Sequence, residues 1–204
     1  MRGEPAASDL TYRRELARKA LHVGGMAAPL GYAAGVPRAT MLFVLGALSV
    51  VAVAIEIART RRAGFARGFE RATGPLLRAH ERTAWAGATW MLLSFLASVA
   101  LFPPRVAIAA MTAVALGDAS AALVGRAWGR IRIGGSSKSL EGSVACGLTT
   151  FLGALWLARL DPAASLVAAV AAAAAEWPAR PLDDNLRIAL ATGSGILLWR
   201  LMFS

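Results

Sequence analysis

The chain of 204 residues is 57% hydrophobic and 17% charged, with a mean hydropathy of +0.55, and its charges lie between long apolar runs instead of along amphipathic helices. That pattern excludes an ordinary soluble globule and indicates an all-α, polytopic transmembrane helix bundle. A formal charge of +10 with no separate soluble domain argues against a nucleic-acid partner, because basic residues beside apolar helices serve topology and anionic lipid headgroups, and a bound nucleotide can share them.

Residues 1–19 read as a basic cytoplasmic or interfacial segment, with Leu10, Tyr12 and Leu16 between the charges, and residues 20–204 as a single transmembrane catalytic domain. Seven helices are predicted, at 20–36, 39–57, 85–102, 105–125, 140–159, 162–177 and 186–203. A span takes about 20 apolar residues, so the third, sixth and seventh are short, and the alanine tract 168–175 suits a buried helix as well as a lipid-facing one. Between the second and third, residues 61–82 mix arginines with Phe65, Phe69, Leu76 and Leu77, as an interfacial segment would. The single cysteine, Cys146, falls inside the fifth helix, where it reads as a small packing residue.

Lys and Arg accumulate on the cytoplasmic side of membrane proteins. Placing the N-terminus inside puts 18 of the 22 basic residues there and leaves Arg38, Arg105, Arg159 and Arg200 outside. The same arrangement puts every acid but Asp161 on the inner side, so the polar chemistry is offered to the cytoplasm.

The densest chemistry runs from Leu116 to Gly142. Asp118 lies about seven residues before the inner end of the fourth helix, roughly 10 Å deep at about 1.5 Å per residue. A carboxylate within a span costs roughly 2.5–3.5 kcal/mol, which argues for function. Gly117, Ala121, Gly125 and Gly129 recur every fourth residue, a face that a helix or a ligand can approach closely. The loop that follows carries Arg126, Arg130, Arg132 and Lys138. Ser139 is placed to cap the fifth helix, whose N-terminus favours a phosphate. It is not a Walker A loop, since Ser137 stands where that motif needs glycine and no strand precedes it. Glu141 sits in the first turn. On the same side lie Arg18, Lys19 and His22, then Arg78 and Glu81, then Glu176, and then Asp183, Asp184 and Asn185.

Gly-Asp-Ala-Ser-Ala-Ala-Leu-Val-Gly over 117–125 and Lys-Ser-Leu-Glu-Gly-Ser over 138–143 resemble the signature of the CTP-dependent lipid kinases: dolichol kinase, phytol and farnesol kinases, and fungal-type diacylglycerol kinase. Arg-Lys-Ala-Leu-His at 18–22 resembles that family's opening helix. Arg78 and Glu81 with Gly87 and Ala88, and Glu176 with Asp184, Asn185 and Leu186, follow in the family's order. The chain departs from the pattern at Trp177-Pro178 and in its doubled Asp183-Asp184, and alignment on Asn185 selects Asp184.

The resemblance implies an integral membrane kinase that moves the terminal phosphate of CTP to a lipid alcohol, a polyprenol, a phytol- or farnesol-type isoprenoid or a diacylglycerol, with Mg²⁺ as cofactor. Phosphoryl transfer is mostly positioning and charge stabilisation, and Mg²⁺ prefers one or two carboxylates plus phosphate oxygens. The implied roles are Asp118 as metal ligand or general base, Asp184 as a second metal ligand, Lys138 and Ser139 on the phosphates, and Glu141 as a further metal or hydroxyl-orienting group. Arg18, Lys19 and Arg78 act as charge clamps, with Gly125, Arg126 and Gly142 in the phosphate cradle and His22, Glu81, Glu176 and Asn185 in support. A cytidylyltransferase that attaches CMP to phosphatidate shares the nucleotide, metal and setting. A small membrane transporter is disfavoured, because the polar groups gather at one face instead of lining a path.

Overall fold

A computed structural model describes residues 18–74, 81, 84–132, 138–177 and 183–203. The segment 1–17, Arg78 and the Gly134-Gly135 part of the glycine-rich loop, all singled out from sequence, lie outside the described residues. Among the described residues the chain is helical, with a lone bridge between Arg132 and Ser139 in place of any strand. A helical segment over 18–24 leads to α1 (Ala27–Ala33), α2 (Arg38–Arg61), α3 (Ala63–Thr73), α4 (Gly87–Leu101), α5 (Pro104–Ala127), α6 (Leu140–Leu157), α7 (Pro162–Glu176) and α8 (Asp184–Phe203). Of these, α2, α5, α6 and α8 are long and apolar enough to cross a membrane, while α4 and α7 are shorter apolar helices.

Among the described residues the seven-helix expectation gives way to eight named helices and the separate 18–24 segment, for two physical reasons. The predicted helix 20–36 is broken: Gly25 N–H donates to both Leu21 O (3.1 Å) and His22 O (3.0 Å), Met26 N–H donates to Val23 O (2.9 Å), and the helix restarts at Ala27. Adjacent Gly24 and Gly25 loosen the backbone there, and Pro29 has no N–H to offer the carbonyl of Gly25. The added helix is α3, inside the predicted interfacial segment, where Phe65 and Phe69 lie four residues apart and Arg67 and Arg71 lie on the opposite face.

The core is built on α5. Val106 to Ala110 are buried all round, as are Met111, Ala113, Val114 and Ala115. Lipid tails are as apolar as leucine, so such helices associate through close packing of small residues more than through burial from water. The glycines show how close: a Cβ on Gly117 would stand 2.9 Å from Thr150 Oγ1 and 3.2 Å from Cys146 Sγ, and one on Gly193 would collide with the ring of Phe102. Cys146 is thus a buried packing partner of the Gly117 face. Two π-turns interrupt the long helices, Ala113–Gly117 in α5 and Gly153–Leu157 in α6.

One end of the bundle gathers the start of the 18–24 segment, the C-terminal ends of α2, α5 and α7, and the N-terminal ends of α4, α6 and α8. At the other end Arg38 donates to Val99 O (3.0 Å) and Ala100 O (2.7 Å), which satisfies carbonyls at the end of α4.

Candidate functional site

Asp118 is the first residue after the α5 π-turn, and it is buried. Lys19 and His22, three residues apart and therefore on one face of the 18–24 segment, both address it. Lys19 Nζ donates to Asp118 Oδ2 and, at 3.3 Å, to its backbone carbonyl; His22 Nδ1 lies 3.6 Å from the same carboxylate oxygen. Lys19 is itself buried, so the ammonium and the carboxylate compensate one another where neither has water.

A second cluster stands beside the first. Lys138 Nζ donates to Glu176 Oε1 (3.2 Å) and to Asp184 Oδ2 (3.3 Å). Burial opposes the charge on Lys138, but Asp184 and Glu176 outweigh it and raise its pKa above the ordinary lysine value. Glu176 Oε2 accepts from Ser143 Oγ (3.3 Å), whose oxygen accepts from Trp177 Nε1 (2.9 Å). Arg187 ties Asp184 Oδ1 (2.6 Å) to the carbonyl of Ala175 (2.5 Å), joining the start of α8 to the end of α7.

The signature after the glycine-rich loop acts on its own backbone. Ser139 caps α6, its Oγ accepting from Gly142 N–H at 3.2 Å. Glu141 accepts from the amides of Arg130 (3.0 Å) and Ile131 (3.3 Å), while Leu140 N–H donates to Ile131 O (2.9 Å). These bonds fold the chain after α5 back onto the start of α6. Close approach requires glycine here: a Cβ on Gly142 would stand 2.7 Å from Ala121 O, and one on Gly125 2.9 Å from Ser139 Oγ.

A third network is centred on two residues that sequence reasoning passed over, Glu56 and Arg59, and takes in Glu81, Gly87, Asp183 and Asn185. Glu56, buried near the end of α2, accepts from Arg59 Nη2 (2.5 Å), Ala86 N–H (2.8 Å) and Thr89 Oγ1 (3.2 Å). Arg59 also donates to the carbonyls of Glu81 and Ala84, both at 2.6 Å. Glu81 Oε1 accepts from Gly87 N–H (3.0 Å), and Gly87 O accepts from Asn185 Nδ2 (3.2 Å), whose backbone and side-chain nitrogens both donate to Asp183 Oδ1 (2.9 Å). The one available signal was an acid three residues before an arginine inside an apolar run.

A cleft of about 210 Å³ joins these parts, with Arg18, His22, Glu81, Asp118, Asp184 and Asn185 on its polar side. Lys138 reaches its edge through Asp184. Lys19 enters through Asp118, whereas Ser139, Glu141, Gly125, Gly142 and the exposed Arg126 belong to the neighbouring α5–α6 turn and do not line the cleft. Among the described residues no three of His, Cys, Asp and Glu converge as a metal cage. Asp118 and Asp184 do supply two carboxylates to one cleft, a donor set that suits Mg²⁺ held jointly with phosphate oxygens.

No protein-family model matches the chain, and no solved structure matches it. It is 30% identical over 140 residues, 67% of its own length, to CTP-dependent diacylglycerol kinase 1 of Schizosaccharomyces pombe. That match spans 64% of the yeast protein, slightly less than two thirds of it. An uncharacterized protein of Rickettsia prowazekii is 27% identical over 190 residues, 86% of this chain and 90% of that protein. The yeast likeness supports the resemblance to CTP-dependent lipid kinases that the motifs carry.

Proposed function

We propose that this chain is an integral membrane kinase that transfers the terminal phosphate of CTP to the hydroxyl of a lipid alcohol, at a site facing the cytoplasm. The carrying observation is the cleft itself, where the carboxylate of Asp118, backed by Lys19 and His22, faces a space that basic, acidic and apolar side chains share. The likeness to the yeast CTP-dependent kinase supports the donor.

In this reading Arg18 and Lys138 bind the nucleotide phosphates, with the exposed Arg126 as a further cation and Arg78, outside the described residues, as a candidate charge clamp. Ser139 and the glycines Gly125 and Gly142 let the α5–α6 turn approach the phosphates closely, and Glu141 holds that turn in shape. Mg²⁺, when bound by Asp118 and Asp184, would neutralise phosphate charge and orient the nucleotide. The acceptor oxygen bonds to the γ-phosphorus as the β,γ-bridging P–O bond breaks, CDP leaves, and the hydroxyl proton passes to a carboxylate, for which Asp118 is the candidate. Lys19 and His22 fix the direction of that carboxylate, and Glu81, Glu176 and Asn185 hold the surrounding elements.

The test is purified protein with labelled CTP or ATP, Mg²⁺, and farnesol, phytol, a polyprenol or diacylglycerol as acceptor. Transfer of the γ-phosphate of CTP to lipid with release of CDP is expected. Release of pyrophosphate would assign a cytidylyltransferase instead, and transfer from ATP alone would remove the CTP assignment.

A further inference from the structure

We propose that the apolar lining of the cleft is the seat of the acceptor's hydrocarbon chain, entered from the lipid beside Leu21 and bounded by Met91 and Phe69. This rests on the kinase reading and adds a binding subsite to it. The lining of the cleft is chemically mixed: besides Asp118 and Asp184 it includes Leu21, Phe69, Ala88 and Met91. A nucleotide gives these apolar side chains nothing to recognise, whereas an alcohol at the end of an apolar chain matches both kinds of group, its hydroxyl with the carboxylates and its carbons with the apolar side chains.

Leu21 lines the cleft and is also 58% exposed, so the cleft opens past this side chain to the outside of the bundle. At a helix end that packs among membrane-spanning elements, that outside is lipid. Phe69, which also lines the cleft, belongs to α3, an amphipathic helix whose arginine face suits headgroups, and Arg59 lies over its ring at 5.4 Å from the centroid. Phe69 is therefore held in place. Met91 lines the cleft and is seated against the break in the 18–33 region: a Cβ on Gly25 would stand 3.1 Å from Met91 Cε. Gly25 leaves Met91 its place, and Met91 sets how wide the chain can be. Fatty, isoprenoid and diglyceride alcohols share the required chemistry, a hydroxyl next to hydrocarbon, and differ in bulk near the hydroxyl.

The experiment uses the full chain in phosphatidylcholine vesicles with a diazirine-bearing long-chain alcohol as photoprobe, alongside steady-state kinetics with CTP. Labelling is expected on the peptides that carry Leu21 and Met91, suppressed by excess dodecanol. Met91→Trp, and Leu21→Trp at the exposed mouth where a larger side chain does not threaten folding, should each raise KM for farnesol and dodecanol by about tenfold or more, the scale of blocking one chain-sized contact, with KM for CTP unmoved. Met91→Ala should shift preference toward diacylglycerol. Uncompeted labelling spread over lipid-facing positions such as Phe43, together with an unmoved acceptor KM, overturns the subsite even if phosphate transfer is normal. Competed labelling at Leu21 and Met91 without any transfer from CTP or ATP upholds the subsite and overturns the kinase reading.

Discussion

Lys19 and Asp118 stand 99 positions apart in sequence and form a buried ion pair at the heart of the cleft. Each makes the other's burial tolerable, so the pair joins the first helical segment to the central helix and fixes the direction of the carboxylate. Lys19→Met alone should lower stability by about 3–5 kcal/mol, because it strands a buried charge, and adding Asp118→Asn should restore part of that loss. Asp118→Asn alone strands the buried Lys19 ammonium and should also lose stability, while the turnover of the protein that remains folded falls by orders of magnitude. Unfolding in detergent and turnover with CTP check both; near-parental turnover of Asp118→Asn would make the pair structural only.

Lys138 gives a pH signature. Its pKa lies above the ordinary lysine value of 10.5 because Asp184 and Glu176 outweigh the cost of its burial. A raised folded-state value means that the tie is fully present below the unfolded pKa and is lost as pH climbs through the folded one. The stability difference between the parent and Lys138→Met should therefore be flat from pH 7 to 9 and shrink only above about pH 10.5. Thermal unfolding across that range decides it, and a difference that already shrinks by pH 9 contradicts the pairing.

The Glu56–Arg59 pair holds the backbone that delivers Glu81 and Gly87 to the cleft. Arg59→Met should destabilise by about 3 kcal/mol or more through the uncompensated Glu56, and should free the chain around residues 81–87 to proteolysis. Unchanged stability and unchanged cleavage would dismiss the network.

Glycine substitutions should separate packing from propensity. Gly142→Ala places a Cβ 2.7 Å from the carbonyl of Ala121 and should loosen the α5–α6 turn, lowering both stability and nucleotide use. Gly64→Ala in α3 meets nothing within 4 Å and should stabilise by about 0.5–1 kcal/mol. Equal effects at the two positions would mean that the turn is not closely packed.

The basic asymmetry predicts orientation. A reporter after Ser204 should be extracytoplasmic, and reporters near Gly64 or Gly135 cytoplasmic. Finding Gly135 outside would break the assignment of a cytosolic nucleotide site.

The helical class and most helix positions were legible because apolar runs and charge clusters mark them directly. Asp118 and Lys138 stood out for the same reason, as charged groups beside apolar helices. Their partners did not: that Lys19 meets Asp118, or that Lys138 meets Asp184, depends on how distant segments pack, and spacing carries no such information. Glu56 lay at the end of the predicted second helix, 39–57, and Arg59 in the basic cluster just after it, where an internal ion pair and a solvated one read alike. Gly24-Gly25 and Pro29 lie at the break in the first helix, which the continuous 20–36 reading missed. The α3 helix was foreshadowed by its interfacial composition, but an 11-residue amphipathic helix leaves too little apolar run to register as an element.

The π-turn ahead of Asp118 has a consequence for how this helix can change. A π-turn is in effect one extra residue inside an α-helix, and one residue turns the helix by about 100°. The stretch before it, Val106 to Thr112, and the stretch after it, from Asp118 onward, are therefore out of phase, and each presents its own side to the bundle. Deleting one residue within 113–117 would remove that extra residue and leave a regular helix with Asp118 near its present direction, whereas regularising the stretch without a deletion would swing the carboxylate away from Lys19. The chemistry of the half that carries Asp118 and the packing of the half before the π-turn can thus drift separately in sequence, coupled only through the phase that five residues hold.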